Sequence, residues 1–334
     1  MNASATVPLA PAPRGAGFFS TRSARDARHL LGLEGMSREE LSDLLDDAER
    51  EREWLRSGAP NRDDLAGCSV MLAFIEDSTR TRTSFEVAAR RLGANALTFS
   101  ASASSLNKGE TLFDTMKVFE AMGTQLLVLR HSMSGAAACL ARTLERVGVL
   151  NAGDGMHEHP TQGLLDLLTL RDAWKGRFEG RRLAIVGDVG HSRVARSAIH
   201  GLTTMGAQVT VGGPGTLMPA DVGLLGCGIA TSVDEALAGA DGVMALRIQR
   251  ERMEKGLLPS LVEYGREWGI DFGRVALMKP DAVVLHPGPV NRGVELDPGV
   301  ADSARSVILT QVANGVAVRC AVLKRCWTAW REAA

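Results

Sequence analysis

The 334-residue chain has no apolar run approaching the roughly 20 residues needed to cross a bilayer. Its first 30 residues lack the continuous apolar stretch of a secretory signal, so the sequence reads as cytoplasmic, with no membrane partner. Cysteine is scarce: Cys68, Cys139, Cys227, Cys320 and Cys326 form an odd set without C-x-x-C spacing. That argues against both a disulfide framework and a structural zinc site. Net charge is nearly absent, since 38 basic against 39 acidic side chains leave −1. The balance excludes a general electrostatic nucleic-acid binder and a polybasic membrane patch, although local charge can still serve an anionic substrate. The nucleotide P-loop pattern GxxxxGK[ST] is missing as well. Lysine is rare, at Lys108, Lys117, Lys175, Lys255, Lys279 and Lys324 against a majority of arginines, and this bias carries no mechanistic reading.

What is present is 45% hydrophobic and 23% charged residues, enough for a large core, and a length that favours two domains over one. Residues 1–28 hold Pro8, Pro11 and Pro13, four arginines and one acid, without sustained periodicity. They are expected to be a mobile or partner-binding extension. From His29 onward, short apolar runs alternate with helical patterns: Val70 to Ile75, Ala96 to Phe99, Leu126 to Leu129, Val149 to Asn151, Leu183 to Val186, Val209 to Val211, Gly242 to Leu246 and Val283 to Leu285. Alternation of this kind predicts an α/β fold with parallel sheets. Phe85, Ala88, Ala89 and Leu92 fall at i, i+3, i+4, i+7, the spacing of a helix that packs one face on a sheet. A second helix carrying Leu164, Leu165 and Leu168 follows Pro160, and the charged stretch Arg171 to Arg182 separates two sets of strands. The segment Ser303 to Trp330 reads as a long closing helix or a helix pair.

The chemistry concentrates at strand ends. After Val70 to Ile75 comes Glu76-Asp77-Ser78-Thr79-Arg80-Thr81-Arg82-Thr83-Ser84, hydroxyls and guanidinium groups where a loop enters a helix. Unpaired helix N-terminal N–H groups, hydroxyl donors and a bidentate arginine together suit a phosphate. An ordinary helix cap needs one hydroxyl and does not account for the whole cluster. Arg130-His131 ends another strand, and His157-Glu158-His159-Pro160-Thr161-Gln162 follows a third. A neutral histidine and an arginine aimed at one oxygen would polarise a carbonyl and stabilise an oxyanion, as acyl-type transfer requires. His157 and His159 form an H-x-H pair, but no further metal-ligand cluster accompanies it, so no metal is expected.

In the second half, Ile185-Val186-Gly187-Asp188-Val189-Gly190 fails to complete the dinucleotide fingerprint GxGxxG. Arg193 follows that turn, and Arg247 with Gln249 follows Gly242 to Leu246. Side chains placed after separate strands of one sheet could clamp a dicarboxylate. His286-Pro287-Gly288-Pro289 through Glu295 makes a proline-stiffened loop whose backbone carbonyls suit an ammonium or amide.

STRTRTSFE at Ser78 to Glu86, SLNKGET at Ser105 to Thr111, LRH at Leu129 to His131 and HPTQ at His159 to Gln162 resemble, in order, the motifs of the transcarbamoylases. Within that superfamily, LRIQRER at Leu246 to Arg252 and HPGPVNRGVE at His286 to Glu295 resemble the aspartate transcarbamoylases, while the HCLP loop and SMG segment of the ornithine branch are absent. The similarity runs from about His29 to the C-terminus. It implies transfer of the carbamoyl group of carbamoyl phosphate to L-aspartate, an early step of pyrimidine and UMP biosynthesis, without a cofactor. It implies two domains, 29–172 for carbamoyl phosphate and 173–304 for aspartate, each a parallel sheet flanked by helices, with a helix at 305–334 returning to the first.

By position, the resemblance assigns carbamoyl phosphate to Ser78, Thr79, Arg80, Thr81, Ser105, Lys108, Arg130, His159, Gln162, Gly288 and Pro289, and aspartate to Lys108, Arg193, Arg247 and Gln249. Arg80, Thr81, Lys108, Arg130 and His159 would be the catalytic set. Ser105 and Lys108 would reach a neighbouring subunit's site, which implies a homotrimer with shared sites. The extension at 1–28 suggests a larger assembly with a dihydroorotase-like chain. Three other readings compete: a carbamoyltransferase for ornithine or another amine, a non-catalytic scaffold, and an NAD-dependent dehydrogenase. The last is disfavoured by the incomplete glycine pattern and the unexplained STRTR turn.

Overall fold

The computed structural model describes residues 26–100, 110–248 and 260–333. Two parallel sheets organise them. In the first half the strands are β1 (Ser69–Phe74), β2 (Asn95–Ser100), β3 (Leu126–His131) and β4 (Gly148–Asp154), in the order β2-β1-β3-β4. In the second half they are β5 (Arg182–Val186), β6 (Gln208–Gly212), β7 (Gly228–Ala230), β8 (Gly242–Ala245) and β9 (Val283–Leu285), in the order β7-β6-β5-β8-β9. Every ladder is parallel. Helices cover both faces of such sheets, which is why β1 and β8 read as largely continuous apolar runs without polar alternation, and why β1, β4 and β8 are buried almost throughout.

The helices are α1 (Arg38–Arg56), α2 (Thr79–Arg91), α3 (Leu112–Ala121), α4 (Ala136–Thr143), α5 (Pro160–Ala173), α6 (Arg193–Thr204), α7 (Val233–Leu237), α8 (Leu261–Trp268), α9 (Phe272–Val275), α10 (Pro298–Ala301) and α11 (Ile308–Ala333). The choice left open for the C-terminal segment resolves as one helix, α11, which packs chiefly on α1, α5 and α2 of the first half and only slightly on β9. Helix α1 begins at a capping box: Ser37 accepts from the Glu40 N–H while the Glu40 side chain accepts from the Ser37 N–H. The pattern Ser37-x-x-Glu40 was a signal for this helix in the sequence.

Three residues assigned to the N-terminal extension belong to the folded body. Asp26–Arg28 form a short 3₁₀ turn against α11. The Arg28 side chain is buried and its Nη1 donates to the Glu145 carbonyl at 3.0 Å, so the body starts slightly before His29.

Chain order places the chemistry. In the first sheet the chain steps from β1 outward to β2, then crosses back to add β3 on the other side of β1. In the second it steps from β5 to β6 and β7, then crosses back to add β8 beside β5. Each reversal opens a crevice at the carboxyl ends of two neighbouring strands, where parallel sheets bind ligands. The first crevice lies between the segments after β1 and β3, the second between those after β5 and β8.

Candidate active site

The two crevices share one cavity of about 570 Å³. From the first sheet it is lined by Asp77, Ser78, Thr79, Arg80, Thr81, Arg130, His159 and Gln162; from the second by Ser192, Arg193, Arg247, His286, Gly288 and Pro289. The structure thus brings together Ser78, Thr79, Arg80, Thr81, Arg130, His159, Gln162, Arg193, Arg247, Gly288 and Pro289. Ser105, Lys108 and Gln249 lie outside the described residues.

Four helix N-termini border the cavity, those of α2, α5, α6 and α11, and none carries an acid in its first turn. Helices α1, α3, α7 and α8 do, whereas α4 and the short α9 and α10 do not. An acid in the first turn would offset the helix dipole, so these positive ends suit an anion, although at α6 the Ser192 hydroxyl already accepts from the Ala195 N–H. Ser78 sits at the cap position of α2, yet its hydroxyl makes no capping bond.

Arg80 is pushed below its ordinary pKa by burial first and by the neighbouring Arg247 charge second. The loop after β9 makes room for it: a Cβ on Gly288 would overlap Arg80 Nη1, and Gly288 has φ of +64°. The Gly288–Pro289 peptide is cis. Gly153, at the end of β4, plays a similar part, since its Cβ would fall 2.9 Å from Arg193 Nε and 3.1 Å from Arg130 Nη1.

His159 holds the N-cap position of α5, its backbone N–H donating to Ser197 Oγ on α6 at 2.9 Å. Ser197 Oγ in turn donates to Glu158 Oε2 at 2.8 Å, and Glu158 also accepts from the Leu33 and Glu34 N–H groups. The buried His159 ring is held well below its ordinary pKa, by desolvation first and then by Arg130, Arg319 and Arg193. The neutral imidazole is thereby favoured over the imidazolium, and its buried Nδ1 makes no hydrogen bond among the described residues. His157, the other half of the H-x-H pair, pairs instead with Asp154 at 3.1 Å. Among the described residues, the one group able to hold a metal is Glu34, Glu158 and His200, away from the cavity lining.

Four residues to which the sequence reading gave no role complete the site. Glu76 takes Arg130 Nη2 at 2.7 Å on one side and Arg193 on the other, joining the cations of the two sheets through one carboxylate. Its signal was its place at the head of the hydroxyl cluster. Arg319, on α11, lies 5.1 Å over the Phe85 ring and is pushed down to about 10 by burial; nothing in the apolar closing segment marked it. Asp166 and Gln311 lie behind Gln162, and Gln311 reaches the cavity lining from α11. Burial pushes Asp166 up to about 7 against the pull of its two amide hydrogen bonds.

Comparison with known proteins also divides the chain in two, the second match running on through residue 326 of α11. Residues 28–172 match the family described as aspartate/ornithine carbamoyltransferase, carbamoyl-P binding domain, and residues 179–326 match its Asp/Orn binding domain. The chain is 54% identical over 316 residues to the aspartate carbamoyltransferase catalytic subunit of Gluconacetobacter diazotrophicus, covering 95% of this chain and 96% of that one. It is 56% identical over 299 residues to that of Gluconobacter oxydans, covering 89% and 95%. Among solved structures, it is similar to aspartate transcarbamoylase from Trypanosoma cruzi in complex with carbamoyl phosphate, with TM-score 0.79, 30% identity and coverage of 89% and 95%. It is equally close in shape to ornithine carbamoyltransferase from Pyrococcus furiosus, with TM-score 0.79, 29% identity and coverage of 89% and 96%. With both domain types matched in order across most of its length, the chain belongs to the aspartate/ornithine carbamoyltransferase family.

Proposed function

We infer that the chain transfers the carbamoyl group of carbamoyl phosphate to the amine of L-aspartate, giving N-carbamoyl-L-aspartate and phosphate. The observation that carries this reading is the single cavity in which the N-terminus of α2, the pair Arg130 and His159, and the pair Arg193 and Arg247 meet. Fold alone does not select the amine substrate, since aspartate and ornithine enzymes match it equally well. Two arginines from the second sheet do favour aspartate, because they suit two carboxylates. The relatives at 54 to 56% identity also carry the aspartate name.

In this reading, residues 29–172 bind carbamoyl phosphate and residues 173–304 bind aspartate. The phosphate rests on the Ser78 to Thr81 turn, and the carbamoyl oxygen faces Thr81, Arg130 and His159. Gln162 and the backbone at Gly288 and Pro289 hold the carbamoyl nitrogen. The neutral aspartate amine attacks the carbonyl carbon, a C–N bond forms and charge collects on the oxygen, where Arg130 and the neutral His159 N–H stabilise it. The C–O bond to phosphate then breaks, and the departing phosphate takes the amine proton. No covalent enzyme intermediate is needed, so positioning and electrostatics supply the rate.

In this reading, and by the family resemblance of the segment that carries them, Ser105 and Lys108 serve a neighbouring subunit's site, which makes the competent unit a homotrimer, in the cytoplasm and in pyrimidine biosynthesis. The extension ahead of the turn at Asp26–Arg28, residues 1–25, is assigned to contact with a dihydroorotase-like chain. The test is ureido-product formation from carbamoyl phosphate with L-aspartate or L-ornithine, measured beside native mass by light scattering. Aspartate-dependent product from a trimer or larger species is expected. Preference for ornithine overturns the substrate, and activity from a monomer overturns the shared site.

A further inference from the structure

Behind the cavity runs a chain of buried hydrogen bonds whose direction is forced from one end. The His286 backbone N–H can only donate, and it donates to Gln311 Oε1 at 3.0 Å. The Gln311 amide must therefore turn its Nε2 outward, and that nitrogen donates to Asp166 Oδ1 at 2.7 Å. Asp166 Oδ1 is thus an acceptor whatever its charge, and Gln162 Nε2 donates to it at 3.0 Å. The other end of the Gln162 amide, its Oε1, is left as the end that meets a ligand in the cavity Gln162 lines. The side chains in this chain are 1% exposed at Asp166, 2% at Gln311 and 9% at Gln162, so water offers little competition. Asp166 Oδ2 is buried without a hydrogen-bond partner among the described residues, so no other polar group fixes this carboxyl.

A carbamoyl group is nearly symmetric in shape, with an oxygen that accepts on one side and an NH₂ that donates on the other. Its oxygen must face Thr81, Arg130 and His159 for the reaction. An amide free to flip at position 162 would accept the group in either sense. We propose that Asp166 is the positioning residue that fixes the Gln162 amide with its oxygen toward the substrate, and so sets which way round the carbamoyl group binds. The same carboxyl holds Gln311, which ties the start of the loop bearing Gly288 and Pro289 to the first domain; the Gly288 N–H donates back to His286 Nδ1 at 2.7 Å. This inference rests on the carbamoyl-transfer reading given above.

The experiment compares Asp166→Ala and Asp166→Asn, each alone and combined with Gln162→Ala, by kcat and by KM for carbamoyl phosphate, with folding followed by circular dichroism. Asp166→Ala is expected to lower kcat roughly tenfold, on the scale of one lost oriented hydrogen bond. In the Gln162→Ala background the same change is expected to cost no more than about twofold, because the group it orients is gone. Asp166→Asn retains an acceptor and is expected to keep kcat within about threefold. Asp166→Leu, which fills the space without an acceptor, replaces the alanine variant if the cavity left by alanine prevents folding. Additive losses in the double variant, or an Asn variant as slow as the Ala variant, overturn the inference while leaving the carbamoyl-transfer reading intact. A folded wild-type chain that forms no ureido product overturns both.

Discussion

Two regions of the molecule use arginine in opposite ways. Along the seam where α1 meets α11 and the end of α5, Arg52 is held by Glu49 and by Asp172, each at 3.0 Å, and by Asn314. Arg62 pairs with Glu51 and Asp64, and Lys324 with Glu51. There the Asp172 hydrogen bond, the largest cause, pushes the Arg52 guanidinium up. In the cavity the direction reverses: Arg80 and Arg319 are pushed down by burial, and Arg80 further by Arg247. The seam matches each cation with carboxylates and is a structural joint. The cavity gathers five arginines, Arg80, Arg130, Arg193, Arg247 and Arg319, against two carboxylates among the described residues, Asp77 in the lining and Glu76 between Arg130 and Arg193, a surplus of positive charge that suits an anionic substrate.

The sharpest way to break this contrast is to remove one cation from each region. Arg130→Ala is expected to lower kcat by about 3 to 4 kcal/mol of transition-state stabilisation, the scale of a lost oxyanion donor, with little change in melting temperature. Near-normal turnover would remove Arg130 from its role. Arg52→Ala should do the reverse: a loss of about 1 to 3 kcal/mol in stability, since its partners Glu49 and Asp172 are partly exposed, and unchanged kcat for the folded fraction. A calorimetric scan beside a steady-state assay separates the two.

Between these lies the loop that carries Gly288. Gly288→Ala adds a Cβ where Arg80 Nη1 now sits and must hold φ of +64°, so Arg80 is displaced or the loop shifts. The expected cost is roughly tenfold in kcat/KM, about 1.4 kcal/mol, seen mainly as a higher KM for carbamoyl phosphate. An unchanged KM would mean that the close approach of the loop to Arg80 does not serve binding.

Much of this was legible in the sequence where local chemistry and local structure coincide. The hydroxyl-rich turn at Ser78 to Thr81, Arg130 at the end of β3 and Arg193 at the start of α6 each declare themselves, because a parallel strand's apolar run points directly at the polar residue that follows it. What stayed hidden depends on long-range packing. Arg319 enters the cavity because α11 folds back on the first half, and no local pattern in Ile308–Ala333 signals that return. Asp166 is one polar residue on a helix buried all round, and its meaning appears only when Gln311 arrives from 145 residues away. Glu76 was visible but ambiguous, since its second partner, Arg193, lies 117 residues on.

The smallest expected effect sharpens the contrast by pH. His159 is depressed in the folded state, so below about pH 6.5 the unfolded chain takes up a proton that the folded chain refuses, and stability falls as the medium becomes more acidic. Asp166 has the opposite sign. Its carboxyl titrates at about 7 when folded and near 3.9 when unfolded, so the folded chain binds the extra proton between those values and stability falls as pH rises through them. Below about pH 6.5 the two slopes oppose each other. Asp166→Asn removes one of them and should leave stability rising with pH in that range. His159→Asn should leave it falling. Arg52→Ala removes a cation that stays charged throughout this range and should lower the whole curve without changing its slope. Parallel curves for all three variants, in denaturant titrations at several pH values, would mean that neither His159 nor Asp166 is as desolvated as the cavity geometry requires.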